Sequence, residues 1–98
     1  MIIRSQDKGK ITNFNLVTDL VISKSKNNRW EIIACYSYFA TSDCGYAPIG
    51  EYSTGEKAIK VLDMIQSAYN AIETMKIDKG AWRDNHYFQM PSDEEVEV

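Results

Sequence analysis

The densest grouping of polar and aromatic side chains in this sequence is the run AWRDNHY at residues 81–87. Arg83 offers a planar guanidinium that clamps a phosphate through two parallel N–H donors. Asp84 beside it can accept from a pair of ribose hydroxyls, Asn85 can read a base edge, and Trp82 supplies a flat apolar face. The structural alternative is an exposed loop anchored by Trp82, with Arg83 and Asp84 merely solvated. Arg4 and Arg29 are further candidate phosphate cations, though each reads first as a surface charge or an ion-pair partner. A second aromatic group, Tyr36, Tyr38, Phe39, Tyr46 and Tyr52, falls within seventeen residues. Aromatic rings stack on bases, yet Tyr and Phe are also favoured strand residues. Tyr38 and Phe39 are the ones carried forward as ligand-stacking candidates.

Covalent and metal chemistry find little footing. Cys35 or Cys44 could pair with His86 as thiol and imidazole, but a free cysteine usually behaves as a small buried apolar group. The plainer reading makes Cys35 a core filler, Cys44 a turn residue and His86 a surface or strand-edge residue. Two cysteines and one histidine cannot supply four zinc ligands at metal spacing, and five scattered glycines form no phosphate loop. No catalytic residue, metal ligand or cofactor is assigned, and the chain is expected to bind rather than catalyse.

These side chains need elements to hold them. Residues 1–4 and 11–14 read as short strands separated by a polar turn. Residues 16–23 and 29–40 read as longer strands joined by a turn at 24–28, whose asparagines adopt positive φ at low cost. Along 29–40, Trp30, Ile32, Ala34, Tyr36 and Tyr38 share one face, and Glu31, Ile33, Cys35, Ser37 and Phe39 share the other. Residues 46–52 run back, with Pro48 pointing to an edge or a bulge. A helix follows. Ser53 and Glu56 have the capping-box spacing, and Ala58, Val61, Leu62, Ile65, Ala68, Tyr69 and Ile72 recur at helical period. Lys57 and Lys60 lie at its positive dipole end, where cations are unfavourable, so an anion is expected nearby.

The expected class is α+β: an N-terminal antiparallel β-meander packed on one long amphipathic helix, then a short C-terminal strand or helix and an acidic tail. Residues 1–91 are assigned to a single domain and 92–98 to an acidic flexible tail. The central strands are apolar on both faces while one helix covers only one, so a homo-oligomer, dimer or higher, is expected.

Ninety-eight residues make one domain. Net charge is −3, with +2 over residues 1–60 and −5 over 61–98. No basic stripe tracks a phosphate backbone, which argues against direct DNA or RNA binding. No apolar run approaches the roughly 20 residues that cross a bilayer, and no secretory signal opens the chain. A cytoplasmic protein with reduced thiols is expected.

Three stretches together resemble a type of small protein from phages and prophages of Gram-positive bacteria: MIIRSQDK at 1–8, GEYSTGEKAIKVLDMIQ at 50–66, and FQMP at 88–91. Within that type the chain is similar to the first-described Thoeris anti-defence family. The resemblance covers both ends and the helix, and leaves out the hairpin at 16–46. It implies a signal sponge that holds cyclic ADP-ribose isomers made by TIR-domain enzymes, and in some members cyclic oligonucleotides, without cleaving them. It also implies action in the host cytoplasm, assembly into dimers or higher oligomers, and a ligand near the subunit interface. By this resemblance Arg83 and Asp84, just before the closing motif, are the leading ligand contacts. A second helix, if the family's fold requires one, must come from residues 76–86. The alternative function is a protein-directed inhibitor of a bacterial defence or regulatory protein, as anti-CRISPRs are.

Overall fold

Short runs rich in β-branched residues, broken by polar turns, fold as strands around one helix. The structure, a computed structural model, describes residues 1–36, 45–79 and 87–98, with side chains over the same ranges except 72–79. The elements are β1 (Ile2–Arg4), β2 (Ile11–Asn13), a 3-10 turn (Phe14–Leu16), β3 (Val17–Lys24), β4 (Trp30–Tyr36), β5 (Gly45–Tyr52), α1 (Gly55–Lys79) and β6 (Tyr87–Gln89). The chain is therefore α+β with a single described helix, as its periodicities predict. No helix among the described residues is long and apolar enough to cross a membrane.

The strands divide between two three-stranded sheets. One is the antiparallel meander β3-β4-β5; the other has the order β2-β1-β6. In the second, β6 lies parallel to β1, pairing Ile2 with Tyr87, Ile3 with Phe88 and Arg4 with Gln89. A parallel neighbour requires a long crossover, and here everything from β2 to α1 intervenes. The first and last strands are thus partners, joined further by Met90 N–H donating to Arg4 O at 3.0 Å.

Local signals account for the meander. Asn28 has φ 64° in the turn where Ser25 and Arg29 exchange backbone and hydroxyl hydrogen bonds. Strand β5 is an edge strand, and its register shifts between Ile32 and Ile33 so that Ile49, next to Pro48, bulges. A proline costs little at such an edge.

The β5 edge is closed by a side chain. The Ile49 carbonyl accepts from Gln6 N–H at 2.8 Å. The Gln6 amide then imitates a strand: Nε2 donates to Glu51 O at 2.9 Å, Oε1 accepts from Glu51 N–H at 2.8 Å, and Nε2 also reaches Pro91 O at 3.3 Å. Gln6 is held out by the turn at 5–10, in which the Ser5 hydroxyl donates to Asp7 Oδ1 at 2.6 Å and Gly9 N–H donates to the same oxygen. Those two donors hold the Asp7 carboxyl below its usual range. Close packing completes the junction. A side chain at Gly50 would meet Met90 Cε at 3.0 Å and the Tyr52 ring at 3.1 Å.

One core serves both sheets. Ile3 and Met90, Ile32, Ala34, Ile49 and Tyr52, and Ala58, Val61 and Ile65 of α1 form a continuous buried cluster. Tyr52 is fully buried, and its hydroxyl donates to Pro91 O at 2.8 Å. Burial, with the Asp93 and Glu95 charges adding to it, pushes that phenol up.

Two sequence expectations differ from the structure. The helix begins at Gly55, so the residue capping it is Thr54, whose Oγ1 accepts from Lys57 N–H at 3.2 Å. Ser53 instead donates its hydroxyl to Asp93 at 3.1 Å, and its N–H donates to the same oxygen at 2.8 Å. Residues 92–98, expected as a flexible acidic tail, fold back on the body. Val96 joins the core at 5% exposure, and Asp93 ties the segment to residues 53 and 57. Composition alone hides this docking, because the anchoring valine sits among solubilising carboxylates.

Candidate functional site

The β2-β1-β6 sheet turns Ile3, Thr12 and Phe88 inward and presents its other face outward. Alternation along each strand decides this: with Ile3 buried, Ile2 and Arg4 must face out. Ile2, Arg4, Lys8, Ile11, Tyr87 and Gln89 line a shallow depression of about 430 Å³ there. Its floor is apolar, from Ile2, Ile11 and the Tyr87 ring, which is 70% exposed. Its cations stand at one end. The Arg4 Nε donates to Lys8 O at 3.1 Å, which orients the guanidinium while its terminal nitrogens keep donors for another acceptor. Lys8 lies in the left-handed region, φ 66°, so the turn that carries Gln6 toward β5 carries Lys8 toward Arg4.

Charge is segregated across this turn. Among the described residues no carboxylate lines the depression; Asp7 is bonded back to Ser5 and Gly9. Lys8 acts weakly on Glu95, whose carboxyl is held below its usual range by Ser92 N–H first and only last by Lys8. Gln89 is committed to the fold, with Nε2 donating to Ser5 O at 3.0 Å and Met90 O at 2.9 Å. The arrangement has an apolar and aromatic floor with two cations at its rim. It can hold an anionic ligand that carries a flat ring.

Of the residues singled out from sequence, Arg4 stands in this depression. Arg29 stands elsewhere: its Nε lies 2.8 Å from Glu51 Oε1, and its terminal nitrogen is 4.0 Å from Asp93 Oδ2. That network uses the guanidinium structurally. Tyr38, Phe39, Trp82, Arg83, Asp84 and Asn85 lie outside the described residues, as do Cys44 and His86. The aromatic group separates: Tyr36 donates to Thr12 Oγ1 at 3.2 Å, Tyr52 is core, and Tyr46 is exposed. Cys35 is free and half-buried. Among the described residues no group of three or more His, Cys, Asp or Glu is placed to hold a metal.

The anion expected near the helix start is the chain's own Asp93. Lys57 Nζ lies 3.6 Å from its carboxylate and donates to its backbone carbonyl at 2.8 Å. The two Ser53 donors, then Lys57 and Arg29, hold the Asp93 carboxyl below its usual range despite some desolvation.

Lys8 and Tyr87 were not legible as site residues. Alternation puts Arg4 beside Ile2, but the approach of Lys8 depends on one left-handed residue, and that of Tyr87 on a parallel pairing across the whole chain. The three stretches that carry the family resemblance do meet in space, at Gln6, Glu51 and Pro91, where what they make is the junction between the sheets. Comparison of the chain with family models, with curated proteins and with solved structures finds no match.

Proposed function

We propose that this protein binds and sequesters, without cleaving, a cyclic ADP-ribose-type signal made by TIR-domain enzymes, with cyclic oligonucleotides as further ligands. In this reading it is a non-enzymatic phage counter-defence protein of the host cytoplasm. The observation that supports the reading is the outer face of β2-β1-β6, where Arg4 and Lys8 flank an apolar floor bearing the exposed Tyr87 ring. A cyclic ADP-ribose carries a pyrophosphate and an adenine, which want a cation and a flat apolar surface. Tyr87 lies three and four residues after Asp84 and Arg83 in sequence, so the residues favoured by the resemblance come close to this face along the chain.

The test is capture and release. Purified protein is mixed with lysate from cells with active TIR signalling, washed and heated, and the released small molecules are identified by mass spectrometry. Intact cyclic ADP-ribose isomer is expected. Arg4→Ala should weaken capture roughly tenfold to a hundredfold, the worth of one charge-assisted phosphate contact, and Arg83→Ala should do the same. Release of a linear or hydrolysed product would make the protein an enzyme. No ligand, with a stable complex to a bacterial protein instead, would favour the protein-directed inhibitor.

A further inference from the structure

The hydrogen bonds and ion pairs that tie residues 92–98 to the described body run through Asp93, which meets Ser53, Lys57 and Arg29. The segment's other hydrogen bonds are internal. Glu95 N–H donates to Ser92 O at 3.1 Å, Val96 N–H to Asp93 O at 3.4 Å, and Ser92 N–H to Glu95 Oε1 at 3.0 Å. Val96 alone of these seven residues joins the buried core, and Glu94, Glu95, Glu97 and Val98 are exposed. A segment with so little buried surface opens locally, at less cost than global unfolding.

The Asp93 carboxylate matches the donors around it poorly. Its Oδ1 is crowded by three of them: Ser53 N–H at 2.8 Å, the Ser53 hydroxyl at 3.1 Å and Lys57 Nζ at 3.6 Å. Among the described residues its Oδ2 faces only a terminal nitrogen of Arg29, at 4.0 Å. Both cations therefore stand outside the roughly 2.7–3.2 Å of an N–H···O bond. Arg29 Nε is held by Glu51 at 2.8 Å, which leaves its terminal nitrogens for the anion. A phosphate group carries three acceptor oxygens and up to two charges. It gives Ser53, Lys57 and Arg29 one oxygen each, and its second charge answers the second cation. The cluster is open enough for a solute ion to enter, since the Arg29 side chain is 39% exposed.

We propose that Ser53, Lys57 and Arg29 form a binding site for a phosphate group, free or at the end of a monoester, and that residues 92–98 are a displaceable strap whose Asp93 fills this site when no ligand does. Ligand and strap exclude each other. They need the same donors, and the strap's Asp93, Glu94, Glu95 and Glu97 repel an incoming dianion. Arg29 and Lys57 then hold an anion in both states, the chain's own in one and a solute's in the other. Binding at this site lifts Val96 out of the core and releases the acidic end of the chain. The inference stands apart from the ligand reading, since the Arg4 depression lies on the other sheet.

Calorimetric titration of the full chain at neutral pH, with ionic strength held by chloride, tests it. The probes are inorganic phosphate and adenosine 5′-monophosphate; whichever binds more tightly names the source of the phosphate, and failure of both overturns the site. Asp93→Ala should bind at least about tenfold more tightly than the unaltered chain, because the tethered competitor is gone and the open site is fully populated. Asp93→Asn keeps an acceptor for Ser53 without the charge and should fall between the two, and circular dichroism checks that both variants fold. Lys57→Met added to Asp93→Ala should abolish the gain. In the unaltered chain the better probe should speed amide exchange over residues 92–98, read by mass spectrometry. Equal affinity with and without Asp93, or slower exchange over 92–98, overturns the proposal. A gain that survives Lys57→Met overturns it as well, marking an adventitious ion only.

Discussion

Replacing Gln6 with alanine tests how the two sheets are joined. The side chain makes two short hydrogen bonds to the Glu51 backbone, at 2.8 and 2.9 Å, and a longer one of 3.3 Å to Pro91 O. A hydrogen bond is worth about 0.5–1.5 kcal/mol net. The two short ones together contribute about 1–3 kcal/mol, and the long one adds little. The Gln6 N–H bond to Ile49 O survives the change, so the loss belongs to the side chain. For a domain of this size about 2 kcal/mol lowers the thermal midpoint by about 8–16 °C. Thermal and urea unfolding at one fixed protein concentration measure it, with an unchanged urea m-value showing that the same surface is exposed. Gln6→Glu sharpens the test, because at neutral pH a carboxylate cannot donate to the Glu51 and Pro91 carbonyls. It should be less stable than Gln6→Ala at pH 7, and the gap should narrow as the introduced carboxyl protonates. A shift under about 2 °C for Gln6→Ala, against the 8–16 °C expected, would refute the idea that this amide joins the sheets.

Two further predictions concern the other corrections. Asp93 has its carboxyl held below the usual range in the folded state, so it contributes stability above the unfolded value near 3.9 and loses it as pH falls through the lower folded one. Asp93→Asn keeps an acceptor for Ser53 but removes the charge, and should flatten the acid limb of a stability–pH curve below about pH 5. An unchanged limb would mean the residue is free in solution. Thr54→Ala should cost about 1 kcal/mol by urea unfolding, while Glu56→Ala should cost clearly less. The reverse order would restore the capping box at Ser53.

Periodicity alone determined much of this protein. The alternation in β3, β4 and β5, the positive φ at Asn28, the edge or bulge at Pro48 and the apolar stripe of α1 are all legible because each arises from interactions within a few residues. So is the outward placement of Arg4, once Ile3 is recognised as core. Tertiary structure decided what the polar residues do. Gln6 sits in a turn and reads as solvated until β5 is brought beside it. Arg29 reads as a phosphate cation or an ion-pair partner, and only the approach of Glu51 and Asp93 selects the ion pair; the anion sought near Lys57 arrives from 36 residues away. The parallel pairing of β1 with β6, which sets Tyr87 opposite Ile2 and in one depression with Arg4 and Lys8, carries no local signature at all. It is fixed by burial of Ile3, Phe88 and Met90 against a core assembled from the rest of the chain. Local preference chooses between strand and helix by fractions of a kcal/mol per residue. Which strands meet is settled by burying whole faces, and that energy belongs to no single segment.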